Sequence, residues 1–310
     1  MRTLAGRWGI VLVMVAPLAA CEGERAATPI DSVVSEPTLP PDTAAVPVAP
    51  TSAWLRSSGP VLAVPGPNPG DAHIVFPELT DTTLTDTVRF APSRADGLVL
   101  ELFDRSGLVA QDTVARMAAH EWTEGCIDWP AAALRGAPLR WTVGFAAGRV
   151  APIPLDSIEA MPASDSSALA VTLARLASTL PDSAGSRFQG LPFRVRTAYR
   201  MPLEGGGRAV IADLVRRLTV EASPLEEHTL MIAEHDSAGA PLRMVYHDRR
   251  AGTEEVLEAM ELLAAVRIGA DAHAALVLVH VGYETTAYTL LERLRPGQWR
   301  TRWRSVTTGC

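Results

Sequence analysis

The feature that most constrains this chain is a succession of short apolar runs, each broken off by a cluster of Gly, Pro, Asn or Asp. Over residues 188–310 the runs are "LPFRVRTAYRMP", "EEHTLMIAEHD", "PLRMVYHDR", "HAALVLVHVGYE", "TAYTLLERL" and "QWRTRWRSV". Turn signals fall at "DSAGAP", "RIGADAH" and "RPGQ". Alternating apolar residues between such breaks read as strands, and their spacing predicts an antiparallel meander. Residues 54–160 carry shorter runs: "PVLAVPGPNPGDAHIVFPEL", "GLVLELFDRSGLVAQDTV" with turn residues Asp104 to Gly107, and "PLRWTVGFAAGRVAPIPL" with a hairpin turn near Gly148. Strands this short, so regularly interrupted, predict a β-sandwich-like domain. Leu98, Leu100 and Leu102 fall on one strand face.

Between the two regions, residues 161–187 hold the one clear helical period, with Leu169, Leu173, Leu176 and Leu180 on one stripe. Ser164 or Asp165 is the expected cap and Pro181 the stop. Segments 208–222 and 253–268 satisfy both a helical and a strand period; their position between strands favours long strands in one sheet. The expected fold is therefore mainly β, with antiparallel sheets, sandwich-like in the N-terminal part and a meander in the C-terminal part, joined by an amphipathic helix.

The N-terminus adds an address. "MRTLAGRW" carries Arg2 and Arg7 without an acid and leads into "GIVLVMVA", too short for a bilayer core that needs about 20 apolar residues. Residues 1–20 thus read as a signal peptide. Leu18-Ala19-Ala20-Cys21 resembles the lipobox of bacterial lipoprotein precursors. The resemblance implies a diacylglyceryl thioether on Cys21, usually with an acylated amino group such as palmitate, and hence a membrane-anchored lipoprotein of the cell envelope. Glu22 in place of Asp points, by the sorting pattern of Gram-negative lipoproteins, to the outer membrane, facing periplasm or surface. Residues 21–53 are rich in Pro, Ala, Thr and Ser without apolar period and read as a tether reaching on the order of 90 Å.

All 28 basic residues are arginine, and the formal charge is -7. Chemistry that needs a lysine is excluded, and an acidic chain lacks the basic footprint of a nucleic-acid binder. Apart from Cys21 the cysteines are Cys126 and Cys310. In an oxidising compartment these two are expected to form a disulfide pinning the C-terminus to the middle of the chain.

Candidate sites are few. His228, His235 and His247, with nearby Asp and Glu residues, offer imidazole and carboxylate ligands for a metal if pairing brings them to one face, but no "HExxH" or paired-Cys motif accompanies them. Alternation puts His228 with Leu230 and Ile232 and His235 on the opposite face. No "GxSxG" elbow occurs, so no catalytic residue is assigned and no cofactor is called for. His280, inside "ALVLVHVGY", reads as a satisfied neutral core residue. In "QWRTRWRS" alternation puts Trp299, Thr301 and Trp303 on one face and Arg300, Arg302 and Arg304 on the other, a candidate glycan or anion surface. The expected function is a non-catalytic binding or structural module held to the membrane through Cys21, with an envelope protein or glycan as partner. The alternative is an envelope hydrolase, metal-assisted, using residues 226–255.

Overall fold

Turn chemistry starts the fold. Strands β1 (Leu62–Pro65) and β2 (Asp71–Val75) flank a turn in which the Asn68 side chain donates to Asp71 at 2.7 Å. Strands β3 (Val99–Asp104) and β4 (Gly107–Met117) meet at a turn where the Ser106 N–H and hydroxyl both donate to Asp104 Oδ1, at 2.7 and 2.6 Å. This Asx-type bonding is the local reason that "DRSG" reverses the chain. The computed structural model describes residues 62–75, 95–117, 128–136, 140–182, 186–219, 224–235, 240–269 and 271–309.

With β5 (Ala131–Leu134) and β6 (Val143–Ala146), these strands close into a barrel in the order β1-β2-β5-β4-β3-β6. The expected N-terminal sandwich is therefore corrected to a closed six-stranded barrel. Bulges between Leu102 and Phe103 and between Val114 and Arg116 bend the sheet. The seam closes where Ala63 faces Gly144. A Cβ on Gly144 would come 2.7 Å from a methyl of Leu102 and force that buried side chain to shift, so glycine suits the close approach of the walls there. Ala63, Ile74, Leu100, Leu102, Val114 and Trp141 fill the interior, and Leu98 packs with them as its alternation predicts.

The turn near Gly148 forms, with Arg149 N–H bonded to the Ala146 carbonyl, but no hairpin follows it. Strand β7 (Val150–Ile153) leaves the barrel and pairs with β13 (Ala259–Ile268). That sheet has the order β16-β15-β14-β13-β7, with β14 (His273–Gly282), β15 (Thr285–Arg295) and β16 (Gln298–Arg304). A second sheet contains β8 (Asp156–Ser157), β9 (Arg194–Pro202), β10 (Arg208–Leu218), β11 (Leu225–His235) and β12 (Arg243–Gly252), in the order β12-β11-β10-β9-β8. Both ambiguous segments are strands, β10 and β13, but they lie in different sheets: the expected single meander splits at the turn before β13.

Layering follows from alternation. Val266, Val277, Val279 and Leu290 of the first sheet meet Leu62, Phe103 and Phe145 on the barrel wall. Their chain neighbours Ala265, Leu276, Leu278 and Leu291 point the other way, onto Met201, Ile211, Leu230 and Ile232 of the second sheet. The sheet of β13–β16 is thus central, covered on both faces, and the two-sheet packing expected at the N-terminus occurs in the C-terminal part. Helix α1 (Ala163–Ala177) covers the far face of the outer sheet through Leu173 and Ala177. Its cap differs from expectation: Pro162 is the N-cap and makes no side-chain cap bond, while Ser164 and Asp165 lie inside the first turn.

Cys21, Cys126 and Cys310 lie outside the described residues, so the expected Cys126–Cys310 cross-link lies outside them as well and is carried no further. Main-chain pairing holds the C-terminal strand β17 (Thr308–Gly309), which lies against Thr285 and Thr286 of β15.

Because the central sheet is buried on both faces, consecutive residues of one strand should be equally costly to truncate. Leu290→Ala and Leu291→Ala should each cost about 2–5 kcal/mol, read as a lower urea midpoint. A strand with one solvated face would tolerate one of the two.

Candidate functional site

Strands β10 and β11 run antiparallel in a register that sets Arg216 opposite Glu227, Arg217 opposite Glu226, and Val215 opposite His228. Cross-strand partners share a face, so these charges pair in two sets on opposite sides of the outer sheet. On the helix side, Arg216 forks Glu227, with its Nε–Oε1 contact at 2.8 Å, and also pairs with Asp182 beyond the helix. Arg249 joins both carboxylates, and Arg216 lies over the ring of Phe193 at 4.6 Å. This buried set is a clamp that seats the segment after α1 on the sheet.

The second set faces the space between the sheets. Asp213, 5% exposed, pairs with Arg196 of β9. A bulge brings that arginine into place: the β9–β10 register shifts between Asp213 and Leu214, so Val195 and Ala198 both pack toward the helix while Arg196 reaches Asp213. His228, 4% exposed, sits between two carboxylates. Its Nε2–H donates to Glu226 Oε2 at 3.1 Å, and its Nδ1 faces Asp213 Oδ1 at 3.5 Å, an ion-pair contact without hydrogen-bond alignment. Arg217 closes the chain on Glu226. Asp213, and then Glu226, raise the imidazole above its ordinary value of 6.5 against the opposing effect of burial. Burial pushes Glu226 upward, but His228 and Arg217 outweigh it and hold the carboxyl below its usual range.

Two lobes of one groove open on this cluster, and both are lined by Arg196, Arg217, Glu226 and His228. The inner lobe, of about 540 Å³, runs toward the central sheet and is completed by Leu257, Ala259, Val281 and the β14–β15 turn at Tyr283 and Glu284. The outer lobe, of about 530 Å³, is completed by Arg194, Val215 and Thr219. Val281 and Tyr283, both exposed large hydrophobic residues, line the inner lobe, with Tyr283 57% exposed. Glu284 holds a left-handed backbone at φ 56°, a conformation unusual for a non-glycine residue.

The sequence-predicted candidates disperse. His228 faces the groove; His247 lies opposite Met231, which packs toward the helix, so it occupies the other sheet face. His235 Nδ1 contacts the Ala240 carbonyl. Among the described residues no group of three or more His, Cys, Asp or Glu is placed to hold a metal ion. The alternation expected in "QWRTRWRS" breaks at Arg302, where the β15–β16 register shifts between Leu290 and Leu291. Trp303 therefore packs against the barrel-side core while Trp299 enters the core between the sheets. The Trp299 indole donates to buried Glu234 at 2.7 Å. Arg300 lies 3.5 Å from Glu292, and Arg302 is exposed. His280, 3% exposed, is not the satisfied residue expected: neither ring nitrogen has a hydrogen-bond partner, and Glu258 stands 3.6 Å from Nδ1. Burial, with help from Arg304, lowers its pKa.

Alternation alone did not single out Asp213, Arg196 or Arg217. A usable signal is present, because "RR" at 216–217 and "EE" at 226–227 flank one turn and must meet in an antiparallel hairpin. Comparisons with protein-family models, curated proteins and solved structures give no match. Among the described residues no helix is long and apolar enough to cross a membrane.

The two buried histidines should titrate on opposite sides of 6.5, His228 above and His280 below, in an NMR titration of the imidazole protons. Asp213→Asn should lower the His228 midpoint. A raised folded value means that the pairing stabilises fully below the unfolded value near 6.5 and fades as pH rises through the folded one. The stability cost of Asp213→Asn should accordingly shrink at alkaline pH.

Proposed function

We propose that this chain is a lipid-anchored envelope protein whose body is a non-catalytic binding module, with the two-lobed groove as its ligand site. The observation that carries the reading is the internal pairing of the charges on the groove wall beneath an open mouth with an exposed apolar rim. Both nitrogens of His228 are turned on carboxylates, Nε2 toward Glu226 and Nδ1 toward Asp213. A hydrolytic base needs a nitrogen free to take a proton from water or substrate, so this arrangement favours binding over the hydrolase reading. Each lobe has the size of a small-molecule site. Tyr283 and Val281 offer a ligand apolar surface at little ordering cost, since the turn that carries them is short and paired at Gly282 and Thr285. Lipid on Cys21 would hold the module to the membrane, with an envelope glycan or protein component as the natural source of ligand.

The test is a fragment screen by methyl and aromatic NMR on the full chain in non-ionic detergent. Hits should shift Val281, Leu257, Ala259 and Tyr283, and Tyr283→Ala should weaken them without moving the urea midpoint. Hits that map elsewhere and leave the groove signals unmoved would overturn the assignment. In parallel, Cys21→Ala should release the protein from the membrane fraction and abolish labelling with a palmitate analogue.

A further inference from the structure

The two lobes differ in charge, and the difference points to what each would take. The outer lobe is walled by Arg194, Arg196 and Arg217, with His228 at the shared floor. Arg196 and Arg217 are each engaged by one carboxylate, Asp213 and Glu226, and those same two carboxylates also hold His228. Among the described residues, two negative charges therefore answer three positive groups when the imidazole is protonated. Arg194 adds a fourth cation, exposed and without an ion-pair partner among the described residues. Arg216 also lines this lobe, but it leaves the balance unchanged, because Arg216 and Arg249 are matched by Asp182 and Glu227 on the other face. The inner lobe shares Arg196, Arg217, Glu226 and His228 but adds carboxylates in place of a further cation: Glu254 and Glu284 line it beside the apolar rim. A cationic lobe on a chain of formal charge -7 is a local inversion of the protein's own field.

Resting on the reading of the groove as a ligand site, we infer that its outer lobe is an oxyanion site. It would seat a carboxylate or phosphate group of the ligand on the Arg194 and Arg196 guanidinium groups, with the remainder of the molecule directed toward Tyr283. Guanidinium forks match the paired oxygens of these anions, and Arg194, exposed, can turn two of its N–H groups onto one. The Asp213 pair keeps Arg196 in place, since the bulge in β9 and the buried carboxylate together limit where its side chain can go. Glu254 and Glu284 make the inner lobe less favourable to an anion than the outer one, which adds Arg194 instead, so ligand polarity sets the direction of binding along the groove.

The experiment titrates inorganic phosphate and, separately, succinate into the full chain in non-ionic detergent at constant ionic strength. Binding is followed through the arginine Nε–H signals and the His228 imidazole. Saturable binding on the order of millimolar Kd is expected for at least one anion, weakened about tenfold by Arg194→Gln, the loss of one charge-assisted contact. Arg208→Gln removes the same charge at the opposite end of β10 and should leave Kd unchanged. A response to phosphate alone assigns a phosphate ligand, one to succinate alone a carboxylate ligand. Equal weakening by both variants, or saturation by neither anion, overturns the inference. If neither anion binds while fragments still enter the groove, the binding-module reading stands and the oxyanion site falls; if nothing enters the groove, both fall.

Discussion

The rest of the structure depends on a sheet whose inner strands can meet water on neither face. Strand β14 reads "HAALVLVHVG", and its residues from Ala275 to His280 are buried without interruption. Such a strand has no polar side to offer solvent, so two other layers must cover it. The barrel covers one face and the outer sheet the other, and each cover is in turn completed, the barrel by its own interior and the outer sheet by α1. Burial of apolar area drives this layering, at roughly 25 cal/mol per Å² removed from water. Charged residues on the inner faces then have only the ends and margins of the sandwich to occupy.

The inner faces use two such places differently. Near one margin Glu234, 1% exposed, accepts bonds from Arg293 at 2.9 and 3.0 Å, from the Gly297 N–H at 3.0 Å and from the Trp299 indole. Burial pushes this carboxyl upward, but those donors outweigh the effect and keep it ionised. It is a saturated staple between the sheets, with nothing left for a ligand. In the groove wall the same kinds of residue are paired but incompletely: Arg196 and Arg217 keep 44% and 63% of their side-chain surface exposed. Partial exposure makes the second cluster a weak contributor to stability and a suitable one for recognition. The contrast between a closed and an open charge cluster locates the candidate site.

Much of the local structure was legible. The turn residues at Asp104 to Gly107, the leucine stripe of α1 and the strand runs after residue 188 all specify their conformations through short-range chemistry. The two misread faces share one physical origin. A bulge inserts a residue without any apolar signature, and it reverses the faces of everything beyond it. The bulge at Arg302 sends Trp299 and Trp303 to opposite faces, so the two-faced Trp/Arg strand does not exist. The bulge beside Asp213 brings Arg196 into the groove wall, where simple alternation gives no reason to look for it. Of the candidate site, His228 and its face were legible from alternation with Leu230 and Ile232; its neighbours from β9 and β10 were not.

By itself the sequence determined the elements: antiparallel strands, their turns, the helix over Ala163–Ala177, an Arg-only cationic complement, and an N-terminus that resembles a lipobox. These depend on residues adjacent in the chain, where periodicity and backbone preference act directly. Tertiary structure alone decided that six short strands close into a barrel, that the later strands divide into two sheets, and which charges share a cavity. Those outcomes depend on which apolar faces find each other, on a seam narrow enough for Ala63 and Gly144, and on register shifts. Distant segments settle such matters by packing, and no local pattern encodes their meeting.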